Sequence, residues 1–226
     1  MKAIKTLVAA ATMLLAAAMP AQAQKVNLGI EAGYTYNSLL VSGDYDTEGL
    51  SGFAVGAVVD VALPQSWTLQ TGFGYVRKGG SVSGEAISGT KITQLYDMNL
   101  NYLRVPVMVG RKVSLGAGFS ITPRVGWYFA EGISGRGNVT GDSDYTGSWV
   151  AMSVESFKDF TSRQGENEIL AYKGCNRFDT GIAIGVNFDY RHFGIKVGYD
   201  LGVTRVTSYG KGHNSSLSVG LVYRLW

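Results

Sequence analysis

The chain has 226 residues, of which 46% are apolar, 31 are glycine, 13 are tyrosine and only 4 are proline. Its formal charge of +3 comes without a run of basic residues, which argues against nucleic acid as a partner. The single cysteine, Cys175, excludes an internal disulfide, and we interpret it as an incidental loop thiol. Abundant glycine and tyrosine, with apolar residues dispersed by alternation, are typical of a transmembrane β-barrel.

Residues 1–23 have the three parts of a secretory signal peptide. Two lysines near the start are followed by an apolar run over 7–19 and by an A-x-A cleavage signal at 21–23. The apolar run is too short for a membrane-spanning helix, and no charge cluster that would stop transfer follows it. The sequence therefore predicts a cleaved signal peptide and a mature chain over 24–226. That mature chain contains no run of about 18 apolar residues.

Apolar residues then alternate with small or charged ones, which predicts a series of β-strands. The first five are expected over residues 27–36, 51–63, 67–78, 99–111 and 119–133. Short turns at 64–66 and 114–118 connect two of the strand pairs. Pro106 falls inside the fourth strand, and we expect a local bulge to accommodate its missing N–H donor.

The clearest alternation runs from Phe178 to Val203 and contains the sixth and seventh strands, separated by a turn near His192. The last strand is expected over 214–226. One face of each strand is bulky and apolar, and the other is glycine with sparse charge. This arrangement suits the tight inside of a small closed barrel whose bulky face meets lipid. The alternative, a soluble lipocalin-like barrel, would place its bulky apolar residues inside.

Long and short connections alternate along the whole chain. The long ones are predicted as outer loops over residues 37–50, 79–98, 134–175 and 204–213. Within the longest, 149–160 is expected to form an extra hairpin or a short helix. An even number of strands with alternating loop lengths predicts an all-β fold, an eight-stranded antiparallel up-and-down transmembrane β-barrel. Its predicted location is the outer membrane of a Gram-negative bacterium, with both termini periplasmic.

Charged residues recur on the small face of the strands and balance in sign. They are Glu31, Asp60, Lys78, Arg104, Arg124, Asp179, Asp189, Lys196, Asp200 and Arg224. Buried charges must be paired and hydrogen-bonded, and an eight-stranded barrel is filled by its own side chains. We therefore expect an internal network of ion pairs. The alternatives are positions near a water-exposed rim, or a narrow water-filled pore.

Aromatic residues stand near the strand ends, where amphipathic rings prefer the membrane interface. The predicted interface aromatics are Tyr34, Trp67, Tyr75, Trp127, Tyr199, Tyr223 and Trp226.

Catalytic, cofactor-binding and metal-binding residues are not predicted. His192 reads as a turn residue, and His213 lies in a flexible loop beside Ser215 and Ser216. A lipid-modifying hydrolase would need a His/Ser pair of this kind and an acid to orient the histidine. No His/Cys cluster has metal-ligand spacing.

Four stretches resemble one known family. They are GFAVGAVVDVALPQSWTLQTGFGYVRKGG (52–80), NYLRVPVMVG (101–110), RFDTGIAIGV (177–186) and GIKVGYDLGVT (194–204). In order and spacing they resemble the PorT-like outer-membrane β-barrel proteins of Bacteroidetes. Arg104 departs from that pattern, which usually has an acidic residue there, and the terminal Leu-Trp departs from the usual Arg-Phe ending. The resemblance implies a small barrel, and its named member is linked to protein secretion across the outer membrane.

The first functional hypothesis is a structural and interaction barrel, not an enzyme, whose outer loops contact a partner or ligand. The alternatives are an accessory component of a secretion system, a narrow porin-like pore and a lipid-modifying barrel enzyme. The expected partners are outer-membrane lipid and, through the outer loops, envelope or secretion-system proteins. No cofactor is implied.

Overall fold

A computed structural model describes residues 25–40, 46–87, 91–143, 149–157, 160–164, 167–172, 174–206 and 212–225. The predicted signal peptide and Trp226 lie outside the described residues. The strands are β1 (Val26–Leu40), β2 (Asp46–Ala62), β3 (Trp67–Ile87), β4 (Lys91–Arg111), β5 (Val113–Gly116), β6 (Phe119–Ser143), β7 (Trp149–Glu155), β8 (Phe160–Gln164), β9 (Asn167–Tyr172), β10 (Phe178–Tyr190), β11 (Phe193–Arg205) and β12 (His213–Arg224).

Eight of these strands close into one antiparallel barrel. Around the barrel the order is β1, β2, β3, β4, β6, β10, β11 and β12, and β12 pairs again with β1. Closure leaves the barrel without a free edge whose N–H and C=O groups lack partners. The predicted eight-stranded up-and-down barrel is confirmed. No helix in the described part of the chain is long and apolar enough to cross a membrane.

Strand β5 continues β4 across a one-residue break at Lys112. Both strands pair with β6 in the same register, as Gly110 with Arg124 and Val113 with Ile121. The Lys112 N–H instead donates to the Ser66 carbonyl at 2.8 Å, which joins this hairpin to the neighbouring turn. The β5–β6 hairpin thus projects past the end of β3.

Pro106 is accommodated without the expected bulge. Pairing between β3 and β4 lapses after Thr71–Val107 and resumes at Gly74–Arg104 in unchanged register. On the other side, Pro106 stays in register with Tyr128 of β6. The missing N–H donor therefore interrupts the β3–β4 hydrogen-bond ladder locally, and no extra residue is inserted into the strand. The irregularity in β4 lies further along, at Asn101–Tyr102.

The structure differs from the loop bounds expected from the sequence. β3 and β4 run to Ile87 and from Lys91, so most of 79–98 continues as a paired hairpin. β6 likewise extends to Ser143 and pairs with β7 over Arg136–Gly141, and β8 and β9 form a separate hairpin. In these stretches the strict apolar alternation stops, although the backbone groups still pair with each other.

The barrel is inverted in polarity relative to a soluble protein. Leu221 and Phe193, on the outer face, expose 68% and 66% of their surface, whereas inward-facing Lys78 exposes 1%. Apolar side chains remain uncovered on the outside, and charged ones are buried within. This is the distribution that a surrounding lipid phase requires.

Inward-facing glycines make room for this interior. A Cβ atom at Gly194 would lie 2.3 Å from Oδ1 of Asp189 and 3.3 Å from Nη1 of Arg224. A Cβ atom at Gly110 would lie 2.6 Å from Cγ of Arg124. Glycine at these positions therefore leaves the space in which the charged side chains pack.

Candidate functional site: the charged barrel interior

The two ends of the barrel differ in their connections. We call the end with the short turns, where Lys25 and Leu225 also lie, the turn end, and the opposite end the loop end. The inward-facing charges form three groups between these ends.

Asp179 on β10 is the centre of the loop-end group. Its Oδ2 accepts hydrogen bonds from Lys78 Nζ at 3.2 Å, Tyr128 OH at 3.1 Å and Asn214 Nδ2 at 3.0 Å. Its Oδ1 accepts one from Thr204 Oγ1 at 2.9 Å. Four donors on four different strands thus converge on one buried carboxylate, which satisfies its charge without water.

Asp200 on β11 extends this group. Arg104 donates to both of its carboxylate oxygens at 2.8 Å, which is the two-bond geometry that a guanidinium favours. Lys78 Nζ lies 3.9 Å from Asp200 and 4.2 Å from the ring centroid of Tyr128. Lys78 is therefore held by two carboxylates and an aromatic face, which compensates its nearly complete burial.

A single pair bridges the middle of the barrel. Lys196 Nζ on β11 donates to Glu31 Oε2 on β1 at 2.8 Å, across the intervening β12. A cavity of about 70 Å³ lies beside this pair and is also bordered by Gln70, Arg124 and Asn187. Gln70 and Asn187 carry polar atoms without a hydrogen-bond partner, so the cavity has the polar lining that buried water requires.

The turn-end group is built on Asp60 of β2. Gln70 Nε2 donates to its Oδ1 at 2.9 Å, Arg224 Nε donates to its Oδ2 at 3.0 Å, and Arg124 Nη1 lies 3.0 Å from Oδ1. Arg224 Nη1 also donates to Oδ1 of Asp189 at 2.5 Å. Each arginine of this group contacts at least one carboxylate.

All ten charged residues singled out in the sequence lie inside the barrel, and each takes part in an ion pair. Their side-chain exposure ranges from 1% for Lys78 to 20% for Glu31. Sequence reasoning missed their neutral partners. Gln70 and Tyr128 stand on the same inward rows and were open to the same argument. Thr204 and Asn214 fall in or beside a predicted loop, where no periodicity points to them.

An apolar cluster closes the loop end above the charges. It contains Leu39, Met98, Leu100, Tyr102, Phe157, Cys175 and Val206, and we call it the apolar plug. Phe157 meets the Tyr102 ring edge-on at 5.8 Å between centroids. The Cys175 N–H donates to the Ser156 carbonyl at 2.5 Å. Cys175 is therefore part of a packed layer, 5% exposed.

Aromatic side chains lie at two levels of the outer face. Trp67 and Tyr223 are near the turn end, and Phe193 packs on Tyr223 with ring centroids 5.1 Å apart. The step from Trp67 to Tyr75 along β3 is about 26 Å at ~3.3 Å per residue, or about 20 Å along the membrane normal for the usual barrel tilt. The two levels are thus about one apolar band apart.

Four of the predicted interface aromatics lie at the loop-end level, and each directs its polar atom to a polar side chain on an adjacent strand. The pairs are Tyr34–Ser51 at 2.7 Å, Tyr75–Asn101 at 2.6 Å, Trp127–Thr180 at 2.6 Å and Tyr199–Ser215 at 2.8 Å. A ring whose polar tip is satisfied in this way suits the membrane interface.

The two histidines take part in backbone contacts. Nδ1 of His192, in the exposed turn after β10, lies 3.1 Å from the Arg224 carbonyl, and Nδ1 of His213 lies 3.1 Å from the Thr204 carbonyl. The hydroxyl of Ser215 is bonded to Tyr199. Among the described residues, no group of three or more His, Cys, Asp or Glu is placed to hold a metal ion.

A closed barrel with an apolar exterior and a paired, charged interior defines the class of small outer-membrane β-barrel proteins. A sequence profile of the outer membrane protein beta-barrel domain matches residues 21–208, and the chain belongs to this family. Among curated proteins, none matches the chain significantly by sequence.

Solved structures with a similar chain course include two small barrels. Ail, the attachment invasion locus protein of Yersinia pestis, was solved in complex with the heparin analogue sucrose octasulfate; it is 15% identical, with 89% of this chain and 99% of that chain covered and a TM-score of 0.41. Neisserial surface protein A is 14% identical, with 88% and 98% covered and a TM-score of 0.45. The translocator domain of the autotransporter NalP from Neisseria meningitidis is 11% identical, with 98% and 96% covered and a TM-score of 0.30.

Proposed function

We propose that the barrel is a rigid, non-enzymatic membrane anchor and that its loop-end segments contact a partner or ligand outside the membrane. The observation that carries the proposal is the length of chain beyond the lipid-facing band. From Tyr75 to Ile87, β3 continues for about 40 Å along the strand at ~3.3 Å per residue. β4, β6 and β7 accompany it as paired strands. Such a projection exceeds what spanning the membrane needs.

The interior supports the same proposal. Ion pairs occupy the barrel along its length, and the apolar plug covers them at the loop end. A filled interior holds the strands in one register and fixes the base from which the extended strands project. Conductance across a planar bilayer tests the alternative of a narrow pore, and steady single-channel current from the purified barrel would contradict the anchor proposal.

The proposed orientation, with the loop end outside the cell and the termini periplasmic, is tested by labelling single cysteines. In a Cys175→Ala background, Asn176→Cys places a thiol at the exposed loop end and Ala117→Cys places one in the turn-end hairpin. A maleimide that cannot cross the outer membrane is added to intact cells. We expect label on Asn176→Cys alone; label on Ala117→Cys alone would reverse the orientation.

Contact through the loop end is tested by cross-linking in intact cells. One variant replaces residues 160–172 by a short Gly/Ser linker, and the control variant replaces 115–117 at the exposed turn-end tip. Both are first checked for a heat-dependent gel shift, which shows a folded barrel. We expect cross-linked species of the parent protein to persist in the control variant and disappear in the loop variant. Equal loss in both would contradict a loop-end contact.

A second proposal, an accessory role in protein secretion, is supported by the four stretches that resemble PorT-like barrels. A deletion strain would then lose specific proteins from its culture medium and regain them with the intact gene. A lipid-modifying activity is tested in the same strain. If the barrel is not such an enzyme, a His213→Ala variant should give the same lipid A profile as the intact gene. An unchanged set of secreted proteins in the deletion strain would remove the secretion proposal.

A further inference from the structure

A second cavity of about 70 Å³ lies at the turn end of the barrel, and we call it the turn-end pocket. Hydroxyl-bearing side chains on its wall are Thr68, Ser120 and Thr122. The charged residues around it are Lys112, Arg124, Arg191, Arg224, Asp60 and Asp189. Four cations therefore face two carboxylates, an excess of two positive charges.

The two carboxylates are already engaged. Asp60 accepts hydrogen bonds from Arg224 and Gln70 and contacts Arg124, and Asp189 accepts one from Arg224. Among the described residues, Lys112 and Arg191 take part in no ion pair, and both are exposed. The surplus positive charge thus sits at the outer margin of the pocket.

Arg124 supplies a second, independent observation at the inner wall. It is 6% exposed, yet its Nε and Nη1 make no hydrogen bond, although Nη1 lies 3.0 Å from Asp60. A guanidinium has five N–H donors, and a buried donor without an acceptor is destabilising. Arg124 also borders the mid-barrel cavity, and an acceptor on its turn-end side would satisfy these donors.

We propose that the turn-end pocket binds a phosphate-sized oxyanion, with Arg124 as the inner donor and Lys112 and Arg191 at the margin. Arginine presents its N–H groups in a planar fork that matches phosphate oxygens, and the hydroxyls of Ser120 and Thr122 can donate to the same anion. The anion is either free phosphate or the phosphate of a lipid headgroup. The pocket lies at the end opposite the loop-end segments, so this site is separate from the proposed loop-end contact.

Binding is measured on the folded mature chain in an uncharged maltoside detergent. Inorganic phosphate is titrated at constant ionic strength against chloride while the arginine Nε–H resonances are followed by NMR. We expect saturable shifts and an affinity at least threefold weaker in Arg191→Gln and in Lys112→Gln. Arg205→Gln is the matched control, because Arg205 is an exposed cation at the loop end. Its affinity should equal that of the parent protein.

Absence of saturation, or equal weakening in Arg205→Gln and Arg191→Gln, would overturn the proposal. The marginal variants decide the test even if substitution of buried Arg124 prevents folding. The same titration in nanodiscs containing phosphatidylglycerol separates the two sources. If inorganic phosphate titrates as it does in detergent, the ligand is the free anion. If the arginine resonances already lie at the phosphate-bound position and no longer shift, the ligand is the lipid headgroup.

Discussion

Asp179 offers the sharpest test of the charged interior, because four donors converge on it. Replacing it by asparagine keeps its size and removes the charge that faces Lys78. Lys78 is then left with Asp200, whose Oδ2 lies 3.9 Å away and whose two oxygens already accept hydrogen bonds from Arg104. Breaking a buried ion pair from one side costs about 3–5 kcal/mol, and we expect Asp179→Asn to lower the free energy of unfolding by that amount.

The reciprocal substitution is expected to be milder. Lys78→Met leaves the Asp179 carboxylate with three neutral donors, Tyr128, Thr204 and Asn214, so we expect a cost of about 1–2 kcal/mol. In the double variant the uncompensated ammonium is gone. The two substitutions should therefore couple by about 1.5–3 kcal/mol.

Urea unfolding of the barrel in lipid vesicles, followed by tryptophan fluorescence, measures all three variants. Asp97→Asn is the matched control, since Asp97 is half-buried and accepts one long hydrogen bond from Ser81 at 3.3 Å; we expect a change below about 0.5 kcal/mol. If Asp179→Asn costs no more than the control and its effect adds to that of Lys78→Met, the carboxylate and ammonium are separately hydrated and the argument for a buried network fails.

Two further predictions concern space inside the barrel and lipid outside it. Gly194→Ala should slow or prevent folding because its Cβ would lie 2.3 Å from the ion-paired Asp189, whereas Gly198→Ala meets its first side-chain atom at 3.0 Å and should be better tolerated; equal folding yields would contradict this. Leu221→Arg should lower the unfolding free energy by about 2–4 kcal/mol in vesicles if this exposed face meets the bilayer midplane, whereas Leu115→Arg at the turn-end hairpin should cost about 0–1 kcal/mol; similar values would refute the lipid-facing assignment.

The barrel could be predicted from the sequence because the residues of a membrane strand face lipid and the barrel interior alternately, and the residue types alternate accordingly. In 178–203 every second residue of each strand faces outward, so the row of bulky outward residues, the row of inward residues and the turn between the two strands can all be identified. The same signal ends where lipid ends. Ser81 lies in a Gly/Ser-rich stretch of β3 without apolar alternation, so a prediction from apolar periodicity assigns this paired segment to a loop.

The pairing of charges was not predictable to the same depth. Alternation places Glu31 and Lys196 inside, but it is the stagger of the closed barrel that brings these two residues to 2.8 Å. Stagger is a property of the whole ring of strands, not of any one segment. The place of Phe157 in the apolar plug could not be predicted for a different reason. Phe157 follows the short strand β7 in a polar stretch without periodicity, and a turn brings it to the plug.

The plug can be tested through the cysteine that it buries. Cys175 is 5% exposed and packs with Phe157 and Met98 in the same cluster, its Sγ 3.6 Å from the Met98 sulfur. A thiol so covered reacts with a maleimide only when its surroundings open. We therefore expect the folded barrel to react at least tenfold more slowly than the urea-unfolded chain, and Phe157→Ala to remove most of that protection because the large ring leaves a gap. An Ala117→Cys variant in a Cys175→Ala background reports the rate for an exposed thiol at the turn end. If Cys175 of the folded parent reacts as fast as that reference, the loop end is open, and a barrel closed by its own side chains no longer describes this protein.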